Sequence, residues 1–103
     1  MSPVSRDLAS LTLAEFTSRL GERFRVVADD ATIELELVGA DALGQATPTG
    51  GRRPFSLVFR GPRGHALPQC IHRIESAQSG ALEIFLVPID PDAAGLRYEA
   101  VFA

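Results

Sequence analysis

The sequence contains no lysine, so all ten of its basic side chains are arginines. They are scattered along 103 residues with one adjacent pair, Arg52–Arg53, and thirteen acidic residues outnumber them, which gives a formal net charge of −3. Proteins that bind nucleic acids usually carry a basic stripe, because they must neutralise phosphates. The charge pattern therefore predicts that nucleic acid is not a partner.

Cysteine and long apolar runs are also scarce. The single cysteine, Cys70, excludes an internal disulfide framework and a zinc site made of cysteines alone. No apolar run approaches the roughly 20 residues that a membrane-spanning helix needs, and residues 1–10 lack the apolar segment of a secretory signal. These features predict a protein that does not contact a membrane and that is either cytoplasmic or exported without a classical signal.

The remaining composition is that of an ordinary globular chain. Hydrophobic residues make up 46% and charged residues 22%, and the length suits one domain. Residues 1–10 show no periodic apolar pattern and are interpreted as a flexible leader. The sequence thus predicts a single domain over residues 11–103.

Helix signals occur once, near the start of this domain. Thr12 and Glu15 have the spacing of a capping box, in which each side chain binds the other's free backbone N–H. Gly21 suits the left-handed position after a helix C-terminus. The pattern predicts a two-turn helix over 13–20. Such a short helix must dock through its apolar side chains: Leu13, Phe16 and Leu20.

From residue 22 onward the apolar pattern has a period of two, which is typical of strands with one buried face. Gly and Pro residues interrupt it, most extensively over 39–53, which is predicted to be a long mobile loop. Shorter turns are predicted at 29–30 and 90–95. The predicted strands cover about 23–28, 31–38, 55–59, 69–75, 81–89 and 96–102.

Short connections between these strands favour antiparallel neighbours, and no β-α-β crossover is available. The predicted fold is therefore mainly β (α+β): a six-stranded antiparallel meander that curls into a small open barrel or two-layered sheet, with the N-terminal helix over one open face. The segment 81–89 is apolar on both faces in its second half, which predicts a central strand.

Four segments together resemble a family of small, uncharacterised bacterial proteins classed as a domain of unknown function. They are residues 13–21, 53–62, 82–89 and 97–102, and the second contains the strand and turn sequence Phe-Ser-Leu-Val-Phe-Arg-Gly-Pro. The resemblance covers residues 11–102. It implies no catalytic residues, because the matching positions are core and turn positions, and it implies an association with phage-tail-like particles.

Cys70 and His72 are candidates for chemistry because they lie two apart on one strand and so share a face. A thiolate needs a nearby base, and a metal needs three or four ligands. The only other histidine is His65, and same-face neighbours lie roughly 7 Å apart unless their side chains lean together. The pair is interpreted as partly buried packing residues. The remote alternative is an enzyme, a redox-sensitive pair or a weak metal site.

The acidic residues provide no convincing site. Asp90 and Asp92 have the spacing of the first ligands of a calcium loop, but Ala94 occupies the next ligand position, so a turn is the better interpretation. Five strand carboxylates are predicted to face solvent and pair with arginines on neighbouring strands: Glu34, Glu36, Glu75, Glu83 and Glu99.

The sequence therefore predicts no catalytic, metal-binding or cofactor-binding residue. The leading hypothesis is a non-enzymatic structural or protein-interaction module, an accessory component of a bacterial or phage-tail-like assembly. It is predicted to bind a protein, either a second copy of itself or an assembly component, through an exposed sheet edge. The alternative is a small-ligand-binding β barrel, with the helix and the 39–53 loop as its lid.

Overall fold

A computed structural model of the chain describes residues 11–28, 31–43, 54–64 and 66–102. The proposed leader, the turn at 29–30, most of the predicted loop with Arg52–Arg53, and His65 lie outside the described residues. No helix in the described part is long and apolar enough to cross a membrane. The elements are α1 (Leu13–Thr17), β1 (Arg23–Ala28), β2 (Ala31–Ala42), β3 (Phe55–Gly61), β4 (Cys70–Ser76), β5 (Gly80–Asp92) and β6 (Gly95–Phe102).

The six strands form a closed antiparallel barrel in the order β1-β2-β3-β6-β5-β4, so the predicted fold class is confirmed. The barrel is closed, and its order is not that of a simple meander. β3 pairs with β6 over seven residues, and the chain after β3 must therefore cross to the far side of the sheet before β4 begins. Closure pairs strand edges that an open sheet leaves exposed.

The barrel interior is filled by the alternating apolar side chains of all six strands. Phe24 packs edge-on against Phe59 with ring centroids 5.4 Å apart, and Phe55 stacks on Phe102 at 4.8 Å. Phe16 reaches this core from α1 and lies 6.2 Å from the ring of Phe55. The last strand is therefore integral to the core.

The predicted helix was too long. Thr12 does cap the helix by accepting from the Glu15 N–H, but α1 ends at Thr17, and Leu20 is 54% exposed instead of docked. The chain leaves the helix because its next residues bind β2. Gly21 has a positive φ of 93° and donates its N–H to the carbonyl of Leu37 at 2.8 Å. In a continued helix this N–H would bind a carbonyl of the helix itself, so the helix must end before Gly21.

Two predicted strand ends were too early by three or four residues. β2 continues to Ala42 through a bulge between Leu37 and Gly39, so the first four residues of the predicted 39–53 loop are strand. β5 continues to Asp92, and the turn into β6 is confined to residues 93–94. In both cases a neighbouring strand supplies backbone partners to residues whose own pattern does not alternate.

Candidate functional site

The outer wall of the barrel divides into two regions of opposite character. The first, here called the charged sector, covers β1, β2 and the adjoining parts of β3 and β4. Its ion pairs join Arg23 to Glu34 at 2.6 Å and Arg60 to Asp92 at 2.9 Å, with looser pairs from Arg60 to Glu36 at 3.8 Å and from Arg25 to Glu75 at 3.9 Å. Three of the five predicted strand carboxylates are therefore ion-paired: Glu34, Glu36 and Glu75.

These ion pairs shift the pKa values of two side chains. The hydrogen bond that Arg23 donates to Glu34, reinforced by the charges of Glu34 and Glu36, raises the pKa of Arg23 above its usual value. The hydrogen bond from Arg60 lowers the pKa of Asp92, and the backbone N–H groups of Ala94 and Gly95 lower it further. The charges of this region thus largely satisfy one another.

Two clefts open on the charged sector. One has a volume of about 460 Å³ and is lined by Arg23, Arg25, Glu34, Glu75 and the hairpin between β4 and β5. The other, of about 300 Å³, lies against Arg60 and the start of the β3–β4 connection. An anion entering either cleft must compete with carboxylates that already hold the arginines, so neither cleft is prepared for a charged ligand.

A polar network ties α1 to the β4–β5 hairpin. Arg19 donates to Glu15 at 3.2 Å and to the hydroxyl of Ser79 at 2.8 Å, and the Ser79 N–H donates to Ser76 at 2.8 Å. Ser76 in turn donates to one carboxylate oxygen of Glu22, whose other oxygen is buried without a hydrogen bond. Because the network joins residues about sixty positions apart in sequence, we interpret it as structural.

Cys70 and His72 do lean together, with Sγ 3.4 Å from the imidazole Nε2. The same nitrogen lies 2.8 Å from the carbonyl oxygen of Pro68. Because a carbonyl can only accept, Nε2 must carry the proton, and it cannot take a proton from the thiol. His72 is buried and Cys70 is exposed, so the pair is only half buried. This geometry does not activate the cysteine as a nucleophile.

The Asp92 carboxylate is used within the turn. One oxygen accepts from the N–H groups of Ala94 and Gly95 at 2.9 and 3.0 Å, and the other accepts from Arg60. The Asp90 carbonyl accepts from Arg97 at 2.8 Å. Within the described residues no group of three or more acidic, histidine or cysteine side chains is placed to hold a metal ion.

The second region of the outer wall is apolar. Ile71 of β4 lies directly opposite Phe85 of β5. Val87 of β5 pairs with Glu99 of β6, and Phe85 and Val101 each lie two residues from this pair, so both side chains face outward on adjacent strands. Val27 of β1 lies one row away, across the short β1–β4 ladder. Their exposed fractions are 69% for Ile71, 49% for Phe85, 60% for Val101 and 74% for Val27. These four residues are here called the outer apolar row.

The outer apolar row was missed from the sequence. The apolar second face of β5 was interpreted as the mark of a central, doubly buried strand, whereas Phe85 is half exposed. Each strand by itself contributes one or two outward β-branched or aromatic residues, which strands favour anyway. Only the register across strands shows that these residues are neighbours.

The fold and the outer wall define a small closed β-barrel domain whose core is packed with apolar side chains and whose surface carries one charged and one apolar region. Residues 11–102 match the family described as a domain of unknown function (DUF6916), and the chain belongs to that family. No curated protein and no solved structure is similar enough to count as a match.

Proposed function

We propose that this domain is a non-enzymatic protein-interaction module that binds a protein partner through the outer apolar row. The observation that carries the proposal is the alignment of Ile71, Phe85 and Val101 on three consecutive strands, each about half exposed or more. Single exposed apolar residues are common, but contiguous apolar patches on a small domain mark interaction sites.

The energetics favour this use of the surface. Covering apolar surface yields about 25 cal/mol per Å², and the row sits on paired strands of the barrel wall, so it is already held in one arrangement. A rigid surface loses little conformational freedom on binding, and more of the burial energy therefore appears as affinity. The aromatic ring of Phe85, near the middle of the row, is the natural anchor for a partner.

The row replaces the free sheet edge as the preferred contact surface. Barrel closure gives each strand two neighbours, and among the described residues the shortest ladder is β1–β4, with the pairs Arg25↔Glu75 and Val26↔Ile74. A partner strand could add only at this short seam, which Val27 flanks on one side and Ile71 on the other. Docking against the barrel face needs no opening of the sheet.

Affinity capture from the native host with quantitative mass spectrometry tests the proposal. The bait is the full chain, and its matched variants are Phe85→Ser and Leu20→Ser, because Leu20 is exposed to a similar degree but lies far along the chain in the turn after α1. We expect a defined partner that Phe85→Ser loses and Leu20→Ser keeps. Equal capture by both variants would contradict the proposal. The captured proteins also test the expectation of a bacterial or phage-tail-like assembly.

The two alternatives have less support. The inward side chains form one packed cluster, and the two clefts described above lie outside the barrel wall, which weighs against a ligand-binding barrel. An enzyme based on Cys70 and His72 needs a basic imidazole nitrogen at the thiol, and that nitrogen donates to Pro68.

A further inference from the structure

The rim of the outer apolar row carries more acidic than basic side chains. Glu83 lies two residues before Phe85 on the same face of β5, and Glu99 lies two residues before Val101 on the same face of β6. Asp41 pairs with Ser56, which pairs with Val101, so it lies at the β2 end of the same row. Glu83 and Glu99 therefore lie next to the row on its own strands, and Asp41 lies one strand farther out, beyond the buried Ser56. Arg73 is in a comparable place, two residues after Ile71 on the same face of β4.

Within the part of the chain that the structure describes, these carboxylates have no ion-pair partners like those of the charged sector. Arg73 stands opposite Glu83 in the β4–β5 ladder, but its guanidinium contacts Glu75 at 3.2 Å. Arg97, two residues before Glu99, donates to the carbonyl of Asp90. Asp41, Glu83 and Glu99 form no ion pair with any described residue, whereas the arginines of the charged sector hold Glu34, Glu36, Glu75 and Asp92.

We infer that the partner is a protein of different sequence whose docking face is apolar at its centre and carries lysine or arginine around it; this rests on the proposed function. Basic side chains placed over the three carboxylates would gain attraction, whereas acidic ones would be repelled. A second copy of this chain would present the same excess of carboxylates around its row and so offers less attraction than a basic partner. Anionic lipid and nucleic-acid phosphates are disfavoured for the same reason.

A peptide-selection experiment tests the composition of the partner face. A phage-displayed library of random peptides is selected against the immobilised full chain, and the selected peptides are synthesised and titrated against variants. We expect the enriched peptides to combine aromatic or aliphatic residues with lysine or arginine, and Phe85→Ser to weaken their binding about tenfold.

The electrostatic part is tested by a matched pair of charge reversals on β5. Glu83 and Asp90 are both exposed and form no ion pair with described residues, but only Glu83 borders the row. We expect Glu83→Lys to weaken binding about fivefold at low salt, with the loss shrinking as sodium chloride is added, and Asp90→Lys to leave binding unchanged.

The possible outcomes separate the two claims. Peptides that need Phe85 but are neutral or acidic, or that ignore Glu83→Lys, overturn the inferred partner and leave the proposed function standing. No enrichment, or binding that is indifferent to Phe85→Ser, overturns both. Sedimentation of the protein alone should show a monomer. A dimer that becomes monomeric in the Phe85→Ser variant would overturn the inference and identify a second copy as the partner.

Discussion

At the scale of single residues, Tyr98 does more than fill the core. Its ring is buried, and its hydroxyl oxygen accepts the backbone N–H of Leu67 at 2.9 Å, which fastens the connection between β3 and β4 onto the barrel. This hydrogen bond is buried, so the N–H of Leu67 is shielded from water and relies on the Tyr98 hydroxyl as its acceptor. The phenol of Tyr98 therefore helps to hold the β3–β4 connection, together with the buried side chain of Leu67.

We expect Tyr98→Phe to lower the free energy of unfolding by about 1–3 kcal/mol, because the ring stays while the N–H of Leu67 loses its acceptor. Urea denaturation followed by circular dichroism measures the change. Hydrogen exchange at the Leu67 amide supplies the control, since this amide should exchange faster in the variant while amides of β2 keep their relative protection. An unchanged midpoint would mean that the hydroxyl has no structural role.

Gly95 allows β6 to start close to the end of β3. A Cβ at this position would lie 2.2 Å from the carbonyl oxygen of Gly61, which is backbone and cannot swing away. We expect Gly95→Ala to destabilise the protein by about 1–3 kcal/mol, the cost of an overpacked site. Gly64→Ala is the matched control, because nothing lies within 4 Å of its added Cβ. Thermal melts of the two variants should differ clearly, and equal melting temperatures would contradict this packing.

Asp92 gives the stability a dependence on pH. Its pKa is lower in the folded chain than the ordinary value of 3.8, chiefly through the hydrogen bond from Arg60. A lowered folded pKa contributes stability that is present above pH 3.8 and is lost as the pH falls through the folded pKa. We expect Asp92→Asn to be less stable than the natural chain at neutral pH and to converge with it in acid. The control is Asp90→Asn, whose free energy of unfolding should follow that of the natural chain at every pH of the denaturation series. A difference between Asp92→Asn and the natural chain that grows in acid would contradict this role of Asp92.

At the scale of elements, β6 shows how alternation divides a strand between core and surface. Phe102 faces inward and stacks on Phe55 at 4.8 Å, while its neighbour Val101 faces outward and is mostly exposed. The strand pairs with β3 along its whole length. Adjacent residues of this strand should therefore respond very differently to truncation.

We expect Phe102→Ala to cost about 3–5 kcal/mol of stability, because it removes a buried aromatic ring. Val101→Ala, which changes an exposed side chain, should stay within about 0.5 kcal/mol. Calorimetric melting of the two variants provides the comparison. If both melt like the natural chain, β6 is not part of the core and the six-stranded barrel is wrong.

The sequence predicted the faces of the strands better than their neighbours. The alternation follows from burial of one face of each strand, and Phe24, Ile74 and Phe102 do lie inside. Pairing of β3 with β6 was not predictable this way, because alternation says which side of a strand is buried and not which strand lies beside it. The late ends of β2 and β5 were missed because small residues and prolines break the pattern while the ladder continues.

The candidate site could not be predicted from the sequence either, because it depends on which strands are neighbours. Ile71, Phe85 and Val101 are each ordinary strand residues in sequence, separated by fourteen and sixteen positions. They become one surface only when β4, β5 and β6 lie side by side. The pairing of Cys70 with His72 was visible in the sequence, but the carbonyl of Pro68 that fixes the histidine proton was not.

At the scale of the whole molecule, we propose that stability and recognition depend on different residues. A packed interior and the charged sector hold the fold together, and the outer apolar row is left facing solvent with more acidic than basic side chains around it. Substitutions in the row should therefore change binding without unfolding the chain. This separation is the central claim about the protein, and it can be examined inside the native host.

Site-specific photocrosslinking tests this claim most directly. A photoreactive phenylalanine analogue is placed at position 85 in one chain and at position 20 in another, since Phe85 and Leu20 are similarly exposed at 49% and 54%. Irradiation of living cells should join the chain to one discrete protein from position 85 and to none from position 20. Absence of a discrete product at position 85, or the same product from both positions, would contradict the assignment of the outer apolar row as the binding surface.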